Sequence, residues 1–87
     1  MKEGYSELAS AIHLVSTDPI AREVFHVLTK NPGISGFETA RVLNQDPNAI
    51  KKVLESLRQK QLVRPGEDAL RENLALTGSG FLIRQYL

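Results

Sequence analysis

The chain has no cysteine, so neither a disulfide framework nor a thiolate metal site is open to it. That suits a reducing cytoplasm, which is the expected location. No apolar run approaches the roughly 20 residues that span a bilayer, and no membrane segment is expected. The opening residues, Met-Lys-Glu-Gly-Tyr-Ser-Glu, lack the basic-then-apolar order of a secretory signal. Net charge is scarce: 11 Lys and Arg stand against 10 Asp and Glu. A strongly basic balance would point to nucleic acid by itself, and this one does not. The two histidines, His13 and His26, are expected to be structural or surface residues, with neither a ligand nor a general base among them. No Ser-His-Asp set has local support, and Gly78-Ser79-Gly80 is too short to cradle a phosphate. No enzymatic activity, metal or cofactor is therefore expected. With 87 residues the chain is expected to be one domain, 1–87. Its core is small enough for dimerisation to matter.

What the chain does contain is concentrated between Ile34 and Val63. Ser35 and Glu38 have the Ser-x-x-Glu spacing of a capping box. In that box the serine oxygen accepts an orphan amide at the helix start, and the glutamate reaches back to the serine's own amide. The helix begun there is expected to run to about Asn44 and to bury Phe37, Ala40 and Leu43. A second start lies at Asp46-Pro47. Asp46 caps at the positive end of the helix dipole, and Pro47 suits the first position, where no amide hydrogen is needed. This helix is expected from about Pro47 to about Lys60. Ile50, Val53, Leu54 and Leu57 fall at i, i+3, i+4 and i+7, one stripe of a helix. Asn48, Lys51, Lys52, Glu55 and Gln59 fall on the opposite arc. Two helices joined by a short turn, the second with its polar arc outward, make a shape used to enter a DNA groove.

The remaining elements read as follows. A first helix fits Tyr5 to Val15, and Thr17-Asp18-Pro19 restarts a second that runs to about Lys30 with Ala21, Val24, Phe25 and Leu28 inward. Asn31-Pro32-Gly33 ends it, with asparagine and glycine suited to the left-handed conformation. Leu62-Val63-Arg64 and Asn73-Leu74-Ala75-Leu76 read as strands, with Gly66 to Glu72 as the hairpin loop between them. Thr77 caps a last helix, about Gly78 to Leu87. The small positive excess is local: residues 36–60 carry a net +2, against −1 for residues 1–35 and zero for residues 61–87.

Glu38, Ala40 and Leu43, then Ile50 seven residues on, then Leu54 and Leu57, then Leu62-Val63, resemble the central pattern of the winged helix-turn-helix superfamily. Leu76-Thr77 with Gly80 resembles the Leu-Thr-x-x-Gly that usually follows the wing. The likeness covers about residues 20 to 80 and is similar in particular to the MarR-type and related bacterial and archaeal regulators. Three features depart from the pattern. Gln61 stands where the family usually has Gly before the Leu-Val pair, Thr39 stands where it often has Leu, and the charges of the wing cancel.

The resemblance implies a mainly α fold with a small β-hairpin: a three-helix core plus wing, with additional N- and C-terminal helices. It implies a DNA-binding transcriptional regulator that puts helix 47–60 in the major groove of double-stranded DNA, flanked by the 64–72 wing. Asn48, Lys51 and Lys52 would then meet base edges or phosphates from the first turn and a half of that helix, with Glu55, Arg58 and Gln59 further along it. Ser35, at the start of the preceding helix, is also expected to contact DNA, and Arg64 and Arg71 flank the wing, where they reach DNA or else pair with Glu67, Asp68 or Glu72. Lysine pairs on helices are mostly a solvated face, which is the plainer account of Lys51 and Lys52. Phe81, Leu82, Ile83, Tyr86 and Leu87, with Tyr5, Leu8 and Ile12, exceed what one small core is expected to bury. In the family the terminal helices commonly build a two-fold dimer, so a homodimer through Tyr5, Leu8, Ile12, Phe81, Leu82 and Tyr86 is expected. The alternative for these residues is that both helices complete one core. A second reading of function keeps the fold without DNA: a winged-helix protein-interaction module, in line with the near-neutral charge.

Overall fold

The computed structural model describes residues 2–86, and the side chains of residues 9–85. Five α-helices follow in order: α1 (Lys2–Thr17), α2 (Pro19–Lys30), α3 (Gly36–Leu43), α4 (Pro47–Gln59) and α5 (Gly78–Ile83), which runs into a 3₁₀ turn (Arg84–Tyr86).

Local chemistry starts each of the inner helices. Asp18 caps α2, its Oδ1 accepting from the amides of Ile20 at 3.0 Å and Ala21 at 3.3 Å. The capping box of α3 is complete: the Glu38 amide donates to Ser35 Oγ at 3.1 Å, and the Ser35 amide donates to Glu38 Oε1 at 3.3 Å. Asp46 Oδ1 accepts from the Asn48 amide at 2.8 Å at the start of α4, and Pro47 takes the first helical position. Asn44 closes α3 in the left-handed conformation, φ 53°. At the end of α2 the turn differs from expectation. Gly33 alone is left-handed there, at φ 85°. Asn31 has φ −130° and acts through its side chain, donating from Nδ2 to Val27 O at 3.0 Å.

α2 is the hub. It packs on α1, α3 and α4, while α3 packs on α4 and α1 on α5. Val24, Phe25 and Leu28 of α2 meet Ile50, Leu54 and Leu57 of α4 in one core, with Ala21 also buried and Val53 half-buried at its edge. The α3 stripe departs from expectation. Gly36, Thr39 and Ala40 are buried, Leu43 is half-buried, and Phe37 is 44% exposed. These inward positions are i, i+3, i+4 and i+7, so the true stripe starts one residue before the phenylalanine. Gly36 has no side chain to advertise it. The backbone of the 69–70 segment lies so close that a Cβ on Gly36 would come 2.6 Å from Ala69 O. Thr39 is fully buried, its hydroxyl donating to Ser35 O at 2.8 Å.

The two expected strands are reduced to single bridges. Val63 pairs with Leu76 and Asn73 pairs with Ser35, both antiparallel. Amide hydrogen bonds from Arg64 to Ala75 O, from Thr77 to Leu62 O and from Leu74 to Ile34 O set residues 73–76 between the other two segments. No ladder continues into residues 65–72, so among the described residues the expected β-hairpin is seen only as the single Val63–Leu76 bridge. Pro65 has no amide hydrogen to extend the pairing. Beyond it, Ala69 and Leu70 turn inward, and their carbonyls accept from the amides of Gly36 and Phe37 at 3.2 and 3.0 Å. The loop Gly66 to Glu72 is thereby drawn down onto the start of α3.

Gln61 has φ 61°, the left-handed turn that carries the chain out of α4 and into Leu62-Val63. Thr77 caps α5 and also donates its hydroxyl to Gln61 O. The radius of gyration, 12.0 Å, equals that of a compact chain of this length. Among the described residues no helix is long and apolar enough to cross a membrane.

Candidate nucleic-acid interface

The outward arc of α4 is as the periodicity places it. Asn48, Lys51, Lys52, Glu55 and Gln59 are all exposed, while Ile50, Leu54 and Leu57 on the other side are completely buried. The two sets separate because the helix is regular from its Asp46 cap to Lys60. The turn before α4 is three residues, Asn44 to Asp46, so α4 is fixed directly against α3. Among the described residues Lys51 and Lys52 enter no ion pair. Their charges face solvent undiminished by protein partners, with Glu55 one turn further along the same arc.

The other expected contact residues divide. Ser35 is committed to its cap and is half-buried. Arg71 is exposed and lies 3.7 Å from Asp68 Oδ2, the weak surface pairing offered above as its alternative role. Arg64 is exposed and in no ion pair among the described residues. Arg58 is different in kind. Its Nε donates to Arg64 O at 2.9 Å and its Nη2 donates to Glu72 Oε1 at 3.1 Å, leaving the side chain 14% exposed. Glu72 accepts two further hydrogen bonds, from the Asp68 amide at 2.9 Å and the Glu67 amide at 3.1 Å. Its carboxyl is held below its ordinary value of 4.5, first by the Glu67 amide; partial burial opposes this, and Arg58 and the Asp68 amide add to it. The Arg58–Glu72 pair spans 14 positions of sequence, and no local pattern marks it.

Between α4 and the 64–72 segment runs a groove of about 370 Å³. Lys51, Glu55 and Gln59 form one wall, Gly66 and Glu67 the other, and Arg58 and Ala69 complete it. A second hollow of about 350 Å³ lies at the elbow of α3 and α4, lined by Phe37, Ala40, Arg41, Asn44, Gln45 and Pro47. Lys60, which could have served as a phosphate contact at the edge of the site, donates instead to Ser10 Oγ of α1 at 2.7 Å. Among the described residues no three His, Asp or Glu side chains converge where a metal ion could sit.

Of the expected dimer residues, Ile12 is half-buried and packs on the core of its own chain. Phe81 and Leu82 are 52% and 47% exposed, beside a fully buried Ile83. The Arg84 guanidinium lies 5.9 Å from the Phe81 ring centroid, within cation–π range. The side chains of Tyr5, Leu8 and Tyr86 lie outside the described residues. Comparison of the chain with protein-family models, with curated proteins and with solved structures finds no match in any of the three.

Proposed function

We propose that this chain is a DNA-binding transcriptional regulator with a winged helix-turn-helix arrangement, in which α4 enters the major groove of duplex DNA and the 64–72 segment flanks it. One observation carries the reading: α4 follows α3 after a three-residue turn and presents Asn48, Lys51 and Lys52 to solvent, with both lysines outside any ion pair among the described residues. Cations on that arc reach phosphates, and the Asn48 amide has the donor–acceptor pair that reads adenine. In this reading the terminal helices join two copies, so that two α4 helices meet two half-sites.

Titration with duplex DNA at two salt concentrations tests it. Lys51→Ala is expected to weaken binding to all sequences and to flatten the slope of log K against log salt by roughly one unit. Asn48→Ala is expected to relax base preference at one position. Unchanged affinity in the chain carrying both Lys51→Glu and Lys52→Glu removes the DNA reading.

The exposure of Phe81 and Leu82 favours a second reading, a winged helix that binds a protein and not DNA. Partner capture that depends on Phe81 and ignores Lys51 would support it.

A further inference from the structure

We propose that Arg58 and Glu72 are positioning residues and not duplex contacts: together they hold the 64–72 segment at a fixed height beside the outward face of α4. The proposal rests on the DNA reading above for its consequence, and on geometry for its substance. The guanidinium fork of Arg58 is used at both ends, on a backbone carbonyl of the segment's first residue and on the carboxylate of its last. A planar fork fixes an angle as well as a distance, which a single ammonium does not. Glu72 in turn gathers the amides of Glu67 and Asp68, so three separate points of the segment are tied to one α4 side chain.

Gly66 supplies an independent sign of the same device. A Cβ built on Gly66 would stand 2.4 Å from Glu72 Oε1 and 2.8 Å from Arg58 Nη2. The chain therefore crosses directly over the ion pair, at a height where any Cβ has to push the pair aside. The groove of about 370 Å³ has α4 residues on one wall and Gly66 and Glu67 on the other, so its width follows from this pair. Arg58 has little left to offer a phosphate. Its charge is opposed by Glu72, its Nε and Nη2 each donate inside the protein, and its side chain is largely covered.

The sign of one substitution separates positioning from simple electrostatics. Glu72→Gln removes a negative charge beside the interface and replaces one of the two acceptor oxygens by a donor, so one side chain no longer holds Arg58 and both amides. If charge alone mattered, DNA would bind more tightly. Positioning requires the opposite, a loss of about tenfold, the scale of one mismatched base pair. Arg58→Met is expected to weaken binding similarly, with the salt slope unchanged, in contrast to the loss of roughly one unit for Lys51→Ala. Gly66→Ala alters no charge and is expected to act in the same direction, because the atoms that its Cβ displaces are the flexible ends of the pair.

Amide hydrogen exchange provides the readout that is independent of DNA. In all three variants the Glu67 and Asp68 amides should exchange faster, while those of Val24 and Leu54 in the core keep their original rates. Tighter or equal DNA binding by Glu72→Gln overturns the proposal, as does a salt slope lowered by a full unit in Arg58→Met. Unaltered exchange at Glu67 and Asp68 also overturns it. Should the original chain and its Lys51→Glu, Lys52→Glu form bind duplex equally, the DNA reading itself fails, and the exchange rates still decide whether the pair holds the segment.

Discussion

Gln61 holds φ at 61°, a conformation in which an L side chain crowds its own backbone. It has to, because the chain must reverse after α4 if Leu62 and Val63 are to enter the core, where both are buried. Its carbonyl accepts the Thr77 hydroxyl, so the backbone is held there while the side chain stays exposed. Gln61→Gly is therefore expected to stabilise the fold by about 1 kcal/mol, less the extra freedom glycine gives the unfolded chain. That should raise the thermal midpoint by at most roughly 4–8 °C in a domain of this size. A midpoint that falls would show that the strain at this turn is smaller than the freedom glycine adds to the unfolded chain. The position was legible as an anomaly only because the family pattern has glycine there; nothing about glutamine itself announces a positive φ. Thr39 shows the converse. It stands where the resembled pattern often has Leu, yet it is fully buried and satisfies its hydroxyl on the carbonyl of the Ser35 cap.

At the scale of elements, legibility followed the range of the interaction. The caps at Asp18, Ser35 and Asp46 act over two or three residues, and each was readable from spacing alone. The α4 stripe was readable for the same reason: one period, four apolar residues, no glycine within it. The α3 stripe was misphased because glycine and threonine hold two of its inward positions. Residues 66–72 form a loop as expected, but where it packs was not readable because that depends on partners far along the chain: the α3 amides that meet Ala69 and Leu70, and the Arg58 fork. The same segment carries a pH dependence. The folded carboxyl of Glu72 lies below its ordinary 4.5, so the ionised form is the one the fold prefers. Its contribution is complete above that ordinary value and is lost as pH falls through the lowered folded value. As pH falls from above 4.5 to below it, the difference in melting between the original chain and Glu72→Gln should shrink. Protection of the Glu67 and Asp68 amides should decline over the same interval. A difference that grows on acidification would mean that the carboxylate is not the favoured form.

At the scale of the molecule, the question is whether one copy suffices. The chain measures 37 × 24 × 20 Å and presents one α4. Two successive turns of one DNA face are about 34 Å apart, so reading two half-sites takes two copies. α5 is six residues long, and of its three large apolar residues only Ile83 turns fully inward. Phe81 and Leu82 are left outward next to α1, the helix on which α5 packs. A stable interface removes about 800 Å² per partner from water, roughly a seventh of the 5715 Å² surface of this chain. Two half-exposed side chains cannot supply that area, so a homodimer through α5 has to extend over α1 as well. Sedimentation equilibrium above about 1 µM, where an interface worth roughly 8 kcal/mol persists, is then expected to give twice the chain mass. Phe81→Ser with Leu82→Ser should return it to the single-chain mass without unfolding, since both positions are solvent-facing in the monomer. Binding to a duplex with two half-sites should fall with the dimer, while binding to a single half-site holds. A chain that stays monomeric under these conditions would leave Phe81 and Leu82 to a different protein, and the DNA reading would then have to stand on one α4 and one half-site.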